Sequence, residues 1–145
     1  MKIFNTNNII SLLQFVNIVN IDIPMINRLV MKPKYIDLQV NGHGGVDLLS
    51  AKTEDEIRIV SRSLYKNGVA GYLATIITAP LEVAVKAIKL IDAVRNEPRP
   101  GEALILGIHL EGPFISLERS GVHPKEYIKT PDLNHLKSLL AAGLV

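Results

Sequence analysis

The chain contains no cysteine, so neither a disulfide nor a thiolate metal site is available to it. It lacks any apolar run long enough to cross a bilayer. A strong charge balance is also missing: lysine and arginine are scattered among acids and the net charge is only +2. A nucleic-acid or membrane-surface partner is not expected on that footing. Glycine is absent from residues 1–32, which are rich in isoleucine and asparagine. Asn7, Asn8, Gln14 and Asn17 break up that stretch, and no small-residue cleavage site follows, so it does not read as a secretory signal. Its β-branched residues predict a short β-rich or irregular segment. Residues 33–145 form the second unit. A reducing, cytoplasmic location is compatible with this composition and is the expected one.

What is present is enough apolar residue, 48% of 145 positions, to form a core. From Tyr35 onward the chain alternates strand-like and helix-like stretches. Residues 36–41 form a short apolar run ending in the glycine-rich turn Gly42-His43-Gly44-Gly45. Thr53-Glu54-Asp55-Glu56 has the form of a capping box, and Ile57, Val60 and Leu64 fall on one helical face before Gly68. Residues 72–77, YLATII, predict the second strand. Pro80 suits a first helical turn, where a missing N–H costs nothing, and Ala84, Ala87, Ile88, Ile91 and Val94 make the apolar face that follows. The third strand is predicted over residues 103–110. Thr130-Pro131-Asp132 then opens a last helix carrying Leu133, Leu136, Leu139 and Leu140.

Strand starts recur at roughly the 35-residue length of one βα unit. Three such units predict an α/β fold with a parallel sheet. The first βα turn has neither GxGxxG nor GxxxxGKS/T, so no nucleotide signature supports a doubly wound sheet. A closed eight-unit barrel needs about 250 residues, so a barrel would be represented here by its opening units alone. Their end strands would then expose unpaired edges.

Polar groups at the C-terminal ends of such strands are the candidates for chemistry. Glu111 follows the third strand, and Asp37, Gln39 and Asn41 alternate along the first, which predicts one shared face close to Glu111. A carboxylate with amide oxygens nearby suits a divalent cation. Each has a plainer reading: Glu111 as a solvated loop residue, Gln39 and Asn41 as partners of loop backbone, Asp37 as a buried structural group. His109 reads as a satisfied core histidine and His135 as a surface residue. His43 and His123 are left open by spacing alone.

Three stretches together carry a resemblance. YIDLQVNGHGGVDL (residues 35–48), GVAGYLATIIT (68–78) and LGIHLEGPFISLERSGVHPKEYI (106–128) resemble, in motif and in order, the N-acetylglucosamine-6-phosphate deacetylase family of the amidohydrolase superfamily. That resemblance implies the first three βα units of an amidohydrolase-type (β/α)8 barrel, incomplete in this chain. It implies metal-dependent hydrolysis of N-acetyl-D-glucosamine 6-phosphate to glucosamine 6-phosphate and acetate, in amino-sugar catabolism. By the same resemblance Glu111 is a ligand of a divalent metal, usually zinc, and His123 contacts the substrate's acetamido carbonyl. Gln39-Val40-Asn41 stands where many superfamily members carry His-x-His. The family's two histidine metal ligands, its catalytic aspartate and most of its phosphate-binding residues would lie beyond Val145, so no catalytic residue is assigned within the chain. Lys34 occupies a place where the family commonly has glycine. The isolated chain is accordingly expected to be inactive alone, to form a homo-oligomer, or to need a complementary barrel fragment. The contrasting expectation is a non-catalytic sugar-phosphate-binding or interaction module built from the front of the barrel.

Overall fold

The computed structural model describes residues 35–145. The expectations for residues 1–32 and for Lys34 lie outside the described residues. Three parallel strands make the main sheet: β1 (Tyr35–Val40), β4 (Val69–Ile77) and β5 (Leu104–Glu111), in the order β1-β4-β5. Between the first two, β2 (Gly42–His43) and β3 (Val46–Asp47) form a small antiparallel hairpin. Helices α1 (Glu54–Lys66), α2 (Leu81–Asn96) and α3 (Leu133–Leu140) each follow a main strand. Sequential strands stay neighbours, so these three show no reversal of strand order of the kind that marks a doubly wound sheet.

The helices form where local chemistry starts them. Thr53 accepts from the Glu56 backbone N–H while the Glu56 carboxylate accepts from the backbone N–H of Thr53, closing a reciprocal box worth about 1 kcal/mol. The same carboxylate also accepts from the Lys52 N–H, and these bonds hold the Glu56 pKa below the usual range. Gly68 ends α1 at φ +85°, a left-handed conformation that glycine takes without a Cβ clash. Asp132 caps α3 by accepting from the Asn134 and His135 N–H groups.

Ile57, Val60 and Leu64 of α1 and all five expected residues of α2 are buried, as periodicity predicts. They pack on Val40, Tyr72, Ala74, Ile76, Ile105 and Ile108, the helix-facing side of the sheet. α3 departs from expectation. Of its four leucines only Leu139 is buried, Leu133 and Leu140 are exposed, and His135 is 8% exposed rather than on the surface. Eight residues make barely two turns, so one narrow stripe reaches the core. His135 is part of it, stacked edge-on against Phe114 at 5.7 Å.

Boundaries also move. β4 begins at Val69, three residues before the expected start, where it already pairs with Tyr35 and Ile36 of β1; a Cβ on Gly71 would meet Leu106 at about 3.0 Å. Pro80 is the N-cap of α2, one place ahead of its first turn. β5 extends to include Glu111. Its outer edge is partly paired: the Ile108 N–H donates to the Leu144 carbonyl at 2.9 Å, and Leu144 N–H donates to Asp92 on α2. The expectation of bare edges is thus corrected at this point.

Candidate functional site

At the C-terminal end of the sheet, β5 delivers Glu111 level with Ile77, the last residue of β4. Thr78 follows immediately on β4, buried to 2% exposure. The chain after β5 turns at Gly112 and a cis Pro113, then runs through two short 3-10 turns, Leu117–Arg119 and Lys125–Tyr127. Pro113 O accepts from the Lys129 N–H, which ties the far end of this loop back to its start. Between the two turns lies His123, which the loop folds back over the sheet end.

His123 joins the two strands. Its Nδ1 lies 2.9 Å from Thr78 Oγ1 and accepts from the Thr78 backbone N–H at 3.3 Å. Its Nε2 faces Glu111 Oε1 at 3.8 Å. The imidazole is largely enclosed, its side chain 9% exposed, whereas the Glu111 side chain is 35% exposed. Gly112 makes this approach feasible. Its φ of +104° suits glycine, and a Cβ there would collide with Thr78 Oγ1 and come within 3.5 Å of His123 Nδ1. A small crevice beside the group is walled by Thr78, Ala79, Gly112, Pro113, His135 and Leu139.

Gln39 and Asn41 stand at the C-terminal end of β1, two strands away from Glu111. β4 stands between β1 and β5. Val40 is level with Ala74, and Glu111 with Ile77, three residues further on or roughly 10 Å along the strands. β1 carries an extra residue relative to β4 between Asp37 and Val40, which takes Asp37 out of the alternation that Gln39 and Asn41 keep on either side of Val40. Within that bulge the Gln39 N–H donates to the Asp37 carboxylate. Both Gln39 and Asn41 are exposed.

The remaining histidines have partners. His43 Nδ1 lies 2.8 Å from Ser63 Oγ on α1, which ties the hairpin to the helix. His109 Nδ1 lies 3.2 Å from Thr75 Oγ1, a satisfied, half-buried pair on the face opposite the helices. Thr78 was not among the residues singled out from sequence. A hydroxyl placed directly after a strand that adjoins a candidate carboxylate is the signal that could have found it.

Among the described residues, no three His, Cys, Asp or Glu side chains converge to hold a metal ion. Glu111 fits as one donor of such a set, where a catalytic zinc generally needs three protein ligands. No described helix is long and apolar enough to cross a membrane.

No family model matches the chain. It is 39% identical over 115 residues to the N-acetylglucosamine-6-phosphate deacetylase of Mus musculus, a match spanning 77% of this chain and 27% of the mouse protein. The enzyme of the same name from Haemophilus influenzae is 39% identical over 101 residues, 68% of this chain and 26% of its own. Among solved structures, N-acetylglucosamine-6-phosphate deacetylase from Pasteurella multocida superposes with a TM-score of 0.67 at 33% identity, covering 75% of this chain and 28% of that one. A mutant N-acetyl-D-glucosamine-6-phosphate deacetylase from Mycobacterium smegmatis, in complex with N-acetyl-D-glucosamine-6-phosphate, matches with a TM-score of 0.65 at 30% identity over 76% and 27%. The chain therefore spans about a quarter of the length of the relatives it matches.

Proposed function

We propose that this chain, a homologue of the N-acetylglucosamine-6-phosphate deacetylases, carries the front portion of an amidohydrolase barrel that hydrolyses the acetamide of an amino-sugar phosphate. The products are glucosamine 6-phosphate and acetate, and residues 33–145 hold the first three βα units. The observation that carries this reading is the meeting of Glu111 and His123 at the C-terminal end of the sheet, Nε2 to Oε1 at 3.8 Å. These are the two residues that the family resemblance assigns to metal and substrate.

Glu111 would supply one carboxylate donor to a divalent ion, zinc in our reading. When bound, such an ion lowers the pKa of a coordinated water and polarises the amide carbonyl. His123, held over the strand end, points Nε2 toward the space where the acetamido oxygen would lie. Gln39 and Asn41 belong to the rim of the site rather than to this pair. The remaining metal donors and the general base would come from outside the described residues, in the same polypeptide or in a complementary barrel fragment. A cytoplasmic location and homo-oligomeric assembly complete the proposal. The lack of a three-donor cluster among the described residues favours one competing reading: a module that binds the sugar phosphate without turning it over.

The test is acetate release from N-acetyl-D-glucosamine 6-phosphate by the full chain, purified from its own cells with whatever accompanies it, with and without added divalent metal. The expected result is metal-dependent release that Glu111→Gln reduces by about 100-fold or more, since losing a mere outer-shell partner of a metal ligand costs about 10–100-fold. Binding of the sugar phosphate with no acetate release under any metal would replace this reading with the binding module.

A further inference from the structure

His123 can serve two incompatible purposes, and the neighbours of its other nitrogen decide between them. With a proton on Nε2, the ring donates a hydrogen bond into the space beside Glu111. With Nε2 bare, it becomes an acceptor suited to a metal ion or to a proton. Two groups of one residue address Nδ1. The Thr78 backbone amide, at 3.3 Å, can only donate. The Thr78 hydroxyl, at 2.9 Å, can do either, and its orientation follows the amide's lead.

We infer that Thr78 is the positioning residue of this site: through its amide and hydroxyl it holds Nδ1 of His123 as an acceptor, so the neutral ring carries its proton on Nε2 and presents it as a donor beside Glu111. The arrangement is built rather than incidental. Thr78 is 2% exposed and fixed by its place directly after β4. Gly112 alone, lacking a Cβ, lets the loop bring the imidazole this close. The 3.8 Å between Nε2 and Glu111 Oε1 leaves the N–H short of a direct bond to the carboxylate, available to a third group. That group has the chemistry of a neutral acceptor such as an amide carbonyl. The assignment of Thr78 stands independently of the deacetylase reading. Only the identity of the acceptor rests on it.

The test is nitrogen-15 NMR of the His123 ring in the full chain, at mildly alkaline pH, in the wild type, Thr78→Ser and Thr78→Val. The two ring nitrogens resonate far apart when one tautomer dominates and converge when both are populated. We expect wild type and T78S to show a bare Nδ1 and a protonated Nε2. T78V, which keeps the amide but loses the hydroxyl, should show the two resonances shifted toward each other. A protonated Nδ1 in the wild type overturns the proposal, and this measurement does not depend on any variant folding. A folded T78V with the wild-type spectrum overturns the hydroxyl's part. Acetate release is read separately, so failure of the deacetylase reading and failure of the Thr78 assignment give different results.

Discussion

The two ends of the parallel sheet are built on opposite plans. At the N-terminal end, Arg58 of α1 is fully buried and its Nη1 donates to Glu102 at 2.9 Å and to the Glu97 carbonyl at 3.1 Å. Arg62 reaches the second oxygen of the same carboxylate at 3.2 Å. Beside them the Tyr72 hydroxyl lies 2.9 Å from Ser61 Oγ, and burial pushes the Tyr72 pKa up to about 12. Among the described residues the one buried side-chain atom without a hydrogen bond is Arg58 Nη2, with Glu97 Oε2 at 3.6 Å. At the C-terminal end, Glu111 is a third exposed and His123 keeps one nitrogen uncommitted. A closed network holds strands and helices in register, whereas an open one has valence left for a ligand. The difference separates the two carboxylates: Glu102 is spent on buried arginine, whereas Glu111, the proposed metal donor, keeps its oxygens open to a ligand.

The sharpest way to break that comparison is to exchange the fates of these two carboxylates. Glu102→Ala should leave Arg58 buried without its counter-charge and lower stability by about 3–5 kcal/mol. Glu111→Gln should move it by no more than about 0.5 kcal/mol. Denaturant unfolding of both variants checks this, and comparable losses would erase the distinction. A smaller effect is expected from Gly112→Ala, which forces a side chain against Thr78 at a left-handed φ. It should cost about 1–3 kcal/mol, the range for a strained backbone position. The same variant should displace the His123 ring signals while leaving those of Tyr72 at the other end unmoved.

The smallest effect is on acidification. Backbone N–H donation from Asn134 and His135 holds the Asp132 pKa below the ordinary aspartate value. A carboxylate depressed in the folded state contributes stability that is present above its unfolded pKa and lost as pH falls through the folded one. Protection of the Asn134 and His135 amides against hydrogen exchange, corrected for intrinsic rates, should therefore decline below the ordinary aspartate range. Asp132→Asn should flatten that decline, and a wild-type profile in the variant would assign the loss to another group.

Features carried by a few consecutive residues were legible in the sequence. The capping box at Thr53, the buried faces of α1 and α2, and the three-strand βα repeat all follow from local spacing, and all are present. Features that depend on a partner from far along the chain were not. His135 looked like a surface residue because nothing in its own helix announces Phe114. The bulge in β1 shows only against the register of β4, so a count of alternate residues put Asp37 in step with Gln39 and Asn41 when it is not. Glu111 was a candidate from its place at a strand end and gained its metal role from motif resemblance; His123, undecided by spacing alone, rested on the resemblance. The contact between them, and the Thr78 that supports it, required three separate segments to be laid side by side.

The bond from Ile108 N–H to Leu144 has a consequence for how the protein behaves in a crowd. A sheet edge that offers alternating free amides and carbonyls invites strands from other molecules. Here the middle of β5 is already engaged by the chain's own backbone, and Leu144 is itself fastened to α2 through Asp92. A foreign strand seeking that edge would have to displace a tethered competitor present at very high local concentration. Any strand joining that edge, from another molecule or from the rest of a barrel, must first displace this tether, one of whose fastenings is a single carboxylate on a helix.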